Sequence, residues 1–176
     1  MTRMDNHAAE TWELVKAIVG RTVDKIYLVA YQFHDETKWE NTPLQISFVD
    51  GSVLLLDAAG DGETLRAQAS SWIDPFAGEL SQANKEFVQT HGKWKLLDVS
   101  FQNPFGLLLN ETVKSVNPIY DRFGALSGVQ ISIAEQYLNF VVEWDECHIF
   151  WGKVNPDLLD RGNVVSHETP DTKQTT

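Results

Sequence analysis

One adjacent pair in this chain has the composition of a nucleophilic device, Cys147-His148. A thiolate beside an imidazole can attack an electrophilic carbon while the ring holds the proton. The run around them, YLNFVVEWDECHIFWG, reads as a strand, and neighbours on a strand point to opposite faces. The two side chains are therefore expected not to meet, leaving Cys147 as a small buried thiol. The five histidines, His7, His34, His91, His148 and His167, never fall within one helical step of each other, and neither HxH nor HExxH occurs. Asp57-Ala-Ala-Gly-Asp61-Gly-Glu63 offers three carboxylates without the order of a calcium loop, so it predicts a solvated loop with capping carboxylates. Glu143 and Asp145, taken as i, i+2 on a strand, would share a face about 7 Å apart. Paired carboxylates of that kind serve glycosidases when an apolar pocket raises one pKa. Alternation sets this pair against Val142 and Trp144, on the less apolar face, which favours an exposed acidic strip. No GxxxxGK[ST], GxGxxG or GxSxG is present. The expectation is no catalytic residue, no metal and no cofactor.

Charge is the stronger signal. Twenty-five acidic residues stand against 14 basic ones, a net charge of −11, which disfavours direct binding to nucleic acid or to an anionic membrane. Between His34 and Glu63 lie Asp35, Glu36, Glu40, Asp50, Asp57, Asp61 and Glu63, opposed only by Lys38. Between Glu135 and His148 lie Glu135, Glu143, Asp145 and Glu146, with no Lys or Arg. Packed together, these segments would form one negative surface. Trp39, Trp144 and Trp151 lie in or beside them and could anchor a basic protein steered by the carboxylates. The plainer alternative is that the carboxylates solvate the molecule and the tryptophans belong to the core. The candidate partner-binding residues are Asp57, Asp61, Glu63, Glu143, Trp144 and Asp145.

The elements that must position them are legible in outline. At 176 residues the chain suits one domain, read as residues 1–154, with a flexible polar tail over 155–176. Ala8, Trp12, Val15 and Val19 predict an N-terminal helix, begun by Asp5 or Asn6 and ended by Gly20. RTVDKIYLVAYQF predicts a strand, HDETKWENTP a loop, and LQISFVDGSVLLLD a hairpin about Asp50-Gly51. Helical spacing of Leu65, Ala69 and Trp72, then of Leu80, Ala83 and Phe87, predicts one or two mid-chain helices. Strands return with WKLLDVSF, TVKSVNPIYD (an edge strand, because Pro118 lacks an N–H), GVQISIA and the long run from Tyr137.

An internal echo runs through this pattern. Thr22-Val23 and Gln45-Ile46-Ser47 find matches in Thr112-Val113 and Gln130-Ile131-Ser132, at offsets of 90 and 85 residues. If it is a repeat, it implies two antiparallel β-units packed as a sandwich or open barrel, with helices at one end or across one face. The fold class is α+β, mostly antiparallel.

Small size, acidity, a strand-rich α+β pattern, the LQISFVDGSVLLL hairpin and the missing catalytic motifs together resemble the small acidic immunity proteins of bacterial toxin systems. That resemblance implies a non-enzymatic, cytoplasmic inhibitor that binds a toxin, often a basic nuclease. It assigns no residue. An alternative is a small-molecule carrier or barrel enzyme whose cavity would draw on His34, His91, His148 and Tyr137. A third is an assembly subunit. No signal peptide is evident, because Asp5, Glu10 and Glu13 interrupt any apolar run at the start, and no stretch approaches the ~20 residues needed to span a bilayer.

Overall fold

The computed structural model describes residues 6–167. Helix α1 (Asn6–Lys16) precedes strands β1 (Val23–Phe33), β2 (Glu36–Lys38), β3 (Leu44–Phe48), β4 (Val53–Ala58) and β5 (Leu65–Gln68), then α2 (Gln82–His91) and β6 (Lys93–Asp98). A 3-10 turn at Phe105–Leu108 leads into β7 (Val113–Tyr120), β8 (Leu126–Ile133), β9 (Gln136–Glu143) and β10 (Glu146–Trp151), followed by α3 (Pro156–Asp160) and β11 (Val164–Val165). All pairings are antiparallel. One sheet runs β6-β1-β3-β4-β5, with β2 hairpinned onto the far end of β1; the other runs β11-β7-β8-β9-β10.

Alternation along the strands builds a common core between the sheets. Leu44, Ile46 and Phe48 of β3, Leu54 and Leu56 of β4, and Leu65 and Ala67 of β5 form one cluster with Val129, Ile131 and Ile133 of β8, Leu138, Phe140 and Val142 of β9, and Cys147. Each fully buried Leu, Ile or Phe here contributes about 1.5–3 kcal/mol. Trp12, Val15 and Ile18 add the apolar face of α1 and its C-terminal extension to the same cluster.

The echo in the sequence corresponds to a repeat in the fold. In the first unit Ile26 pairs with Ile46, Tyr27 with Gln45 and Lys25 with Ser47; in the second Val116 pairs with Ile131, Asn117 with Gln130 and Ser115 with Ser132. The register slips between Val23 and Lys25, and again between Val113 and Ser115. Third and fourth strands follow in the same registers, Gln45 opposite Leu55 and Gln130 opposite Asn139. Each unit then sends its chain through a helix and back to the free side of its own first strand, as β6 on β1 and β11 on β7. The repeated glutamines hold these crossings. Gln45 Oε1 accepts the Trp72 N–H at 2.8 Å, and Gln130 Nε2 donates to the Lys153 carbonyl at 3.0 Å. Both glutamines are buried on the outer faces of their sheets, where such bonds offset the cost of burying an amide, although Gln130 Oε1 has no partner among the described residues.

Four expectations need correction or qualification. The helix expected over 61–72 is instead a turn and β5, because Asp61 closes a tight turn and β4 offers a ladder; Leu65 and Ala67 face the core while Arg66 and Gln68 face out. The helix expected around Phe87 does form, with Ser81 as its N-cap, but none of its residues is buried. Pro118 does not mark a whole edge strand: β11 borders the end of β7, and there the proline carbonyl accepts the Ser166 N–H. The flexible tail expected from Asn155 is ordered at least through Ser166. Asn155 caps α3, and Leu158, 1% exposed, packs on Ile119 and Val141. Residues 168–176 of that tail, like Asp5, lie outside the described residues. Among the described residues no helix is long and apolar enough to cross a membrane.

Candidate protein-interaction surface

The run from Tyr137 to Gly152 reverses direction between Glu143 and Glu146, which pair across a two-residue turn made by Trp144 and Asp145. Both turn residues have positive φ, 56° and 62°. Two left-handed residues give the turn a twist that matches the flanking strands. Asn, Asp and Gly normally occupy such positions; Asp145 fits, but Trp144 does not, and it hides the turn from a reading of residue types. Glu143 and Asp145 therefore do not share a strand face, and Trp144 does not point inward as alternation predicts; it is 72% exposed.

This turn meets the turn between β4 and β5. The Asp145 N–H donates to the Gly62 carbonyl at 2.7 Å. Gly62 has φ +70°, a conformation that favours glycine, and a Cβ there would have to push the Asp145 carboxylate aside. Asp61 and Glu63 flank it. Two acidic segments some eighty residues apart in sequence thus converge, bringing together Asp61, Glu63, Glu143, Trp144 and Asp145. Burial by itself would raise the Asp61 pKa, but three hydrogen bonds from Glu63 N, Thr64 N and Thr64 Oγ1 together hold it below the ordinary carboxylate value. Glu143 is engaged by Arg161 at 2.6 Å. Glu63, Glu143 and Trp144 line a pocket of about 170 Å³ together with Arg122, Phe123 and Arg161. Phe123 is 76% exposed, with the Arg122 guanidinium 4.8 Å from its ring centre.

Asp57 stands on β4, ion-paired to Arg66 at 2.7 Å. With Asp145 it borders a neighbouring recess of about 460 Å³ walled by Trp72, Ile73 and Trp94. The surface is therefore a mixed rim of carboxylates and of Arg66, Arg122 and Arg161, two of them ion-paired, around exposed aromatic and aliphatic groups. Not every acidic residue of the two segments joins it: Asp50 lies at the opposite end of the β3–β4 hairpin, near Arg21. Sequence reasoning missed Phe123, Arg122 and Arg161. The first two sit in Asp121-Arg-Phe-Gly124, where Asp121 Oδ1 accepts the Phe123 and Ala125 N–H groups. An aromatic residue in such a turn has no core side to occupy, and that was the available signal.

Cys147 and His148 take opposite sides of β10. Cys147 belongs to the core; burial, then the Asp57 carboxylate beside it, pushes its pKa up to about 12, so the thiol keeps its proton at neutral pH. Burial, followed by the Arg161 charge, lowers the pKa of His148. The groups suggested for a ligand cavity are not gathered. His34 lies tilted against Phe33 beside the β1–β2 turn, His91 tilted against Phe87 at the end of α2, His148 stacks on Phe150, and Tyr137 lies under Lys153. Among the described residues no three His, Cys, Asp or Glu side chains are grouped to hold a metal ion.

No family model matches the chain, and neither the curated proteins nor the solved structures searched give a match.

Proposed function

We propose that this protein is a non-enzymatic binding protein that uses the joined turns to recognise a basic protein, as an immunity protein does when it blocks a toxin. The observation that supports this reading most directly is Trp144, a large aromatic side chain held in solvent on a left-handed turn beside Asp145, at a pocket it lines together with Glu63 and Glu143 and with Arg122 and Arg161. A bulky residue rarely adopts that backbone conformation, and strain of this kind tends to be kept where function needs it. In a complex, Trp144 and Phe123 would supply the desolvated centre, and Glu63 and Asp145 would pair with Lys or Arg of the partner and steer its approach.

The test is capture of a stoichiometric basic protein from native lysate, followed by association kinetics with Glu63→Lys/Asp145→Lys. Association should slow by about tenfold at low salt, with the difference closing as salt screens the charges. Unchanged association rates at every salt concentration would refute the role given to these carboxylates.

A further inference from the structure

Five strands have a single neighbour in the two sheets, and four of them carry a recognised safeguard against pairing with another chain. β2 and β11 are three and two residues long. β6 carries Lys93 and Lys95. β5 is covered by α1, where Thr11 Oγ1 accepts the Ala67 N–H at 3.4 Å. β10, Glu-Cys-His-Ile-Phe-Trp, is six residues long and contains neither Lys nor Pro. In the repeat, Ile149 is the counterpart of Ala67: Ala67 pairs with Leu56 and Ile149 with Phe140, at matching places in the two units. The first unit covers this edge with a helix and the second does not.

The direction of the free backbone groups follows from register. The Gly152 N–H donates to the Tyr137 carbonyl, and bonded pairs recur every second residue along an antiparallel ladder. Phe150, His148 and Glu146 therefore turn their backbone groups toward β9, while Cys147, Ile149 and Trp151 turn theirs outward. Asn155 Nδ2 donates to the Trp151 carbonyl at 3.1 Å. The N–H and C=O groups of Cys147 and Ile149 face a groove of about 530 Å³, lined by all six residues of β10 and, opposite, by Trp39 to Thr42. Phe105, edge-on to Trp151 at 5.3 Å, also lines the groove.

We infer that this groove takes an extended segment of a partner protein as an added strand on β10. Main-chain bonds to Cys147 and Ile149 would give the affinity, and apolar side chains of the segment would lie against Trp39 and Phe150. The charged groups lining the groove are Glu40 and Glu146, the latter 3.4 Å from His148, so the segment carries Lys or Arg between its apolar residues. A second copy of this chain, itself at −11, is the poorer match in charge. This groove adjoins the recess beside the joined turns, sharing Asn41 and Cys147 with it, but the inference rests on the backbone edge of β10 and not on Trp144, Glu63 or Asp145.

The probe is a capped eight-residue peptide of alternating valine and lysine, titrated into the labelled protein while backbone amide shifts and exchange are followed. The Cys147 and Ile149 amides should shift and become protected from exchange. Ile149→Pro removes an outward N–H and leaves the β9 ladder intact; it should weaken binding about fivefold or more. Trp39→Ala changes the groove wall at a half-exposed position and should weaken binding without affecting the fold. Exchange protection confined to other sites, equal binding of the glutamate-for-lysine peptide, or dimers joined through β10 in the absence of peptide would each overturn the inference. Because Trp144, Glu63 and Asp145 are untouched by these variants, failure here leaves the reading of the joined turns standing, and the reverse holds.

Discussion

The hydroxyls of Thr22 and Thr112 face each other at 3.2 Å, and around them the two halves of the chain exchange backbone hydrogen bonds in matched pairs. Gly20 N–H donates to Val113 O as Asn110 N–H donates to Val23 O; Val113 N–H donates to Arg21 O as Val23 N–H donates to Glu111 O. All four distances are 2.9 Å. Each bond becomes its counterpart when the two units are exchanged, so the threonine pair marks an approximate twofold axis between the repeats. The turns bearing Gly62 and Asp145 meet again at another junction of the same two units.

The threonine pair should behave as one interaction. Thr22→Val and Thr112→Val should each cost about 1 kcal/mol or less, and the double variant should cost little more than either alone, because the second change removes a hydroxyl that has already lost its partner. Urea denaturation of the four proteins measures this. Strict additivity would mean that the hydroxyls do not interact.

The Trp144–Asp145 turn should be improvable at the expense of function. Replacing it with Asn-Gly, the pair suited to two left-handed positions, should raise stability by about 1 kcal/mol, seen as a higher urea midpoint with unchanged slope. The same protein should lose affinity for the partner. A variant both more stable and fully able to bind would show that Trp144 is not an anchor.

Gly128 lies in a central strand with the Phe140 carbonyl 2.3 Å from where a Cβ would stand and the Val141 Cα 3.0 Å away. Both are backbone atoms of the adjacent strand and cannot swing aside. Gly128→Ala should therefore cost about 3 kcal/mol. Gly124→Ala, where φ is +83° but the space is open, should cost only about 1 kcal/mol. Equal costs in a denaturation experiment would contradict this packing.

Cys147 should impose a dependence on alkaline pH. Its folded pKa of about 12 lies above the ordinary value of 9.0, so the unfolded chain ionises first as pH rises. The associated stability is fully present below pH 9.0 and falls as pH climbs toward about 12, by about 1.4 kcal/mol per unit. Cys147→Ala should remove this slope, and in the native protein at pH 8 the thiol should resist alkylation until the chain opens. Rapid labelling of the native protein would show an accessible thiolate.

Sequence periodicity was enough for α1, for the hairpin about Asp50-Gly51 and for the strands holding the two Gln-Ile-Ser triplets. In each of these the local preference and the burial pattern point the same way. The offsets of 90 and 85 residues already contained the repeat, because the same pairing registers demand the same residues at the same places. Local spacing misled where a neighbouring strand overrode it. Leu65, Ala69 and Trp72 fit a helix until β4 offers Leu65 and Ala67 a ladder. The tail from Asn155 looked too polar to fold, yet one residue, Leu158, finds the outer face of the second sheet. Above all, Trp144 is no turn former, and Asp145 beside it, with no glycine following, gives too weak a turn signal to break the apparent strand. Only tertiary structure, by closing β9 onto β10 and seating the turn against Gly62, decided that the two acidic segments meet and that the tryptophan between them stands in water.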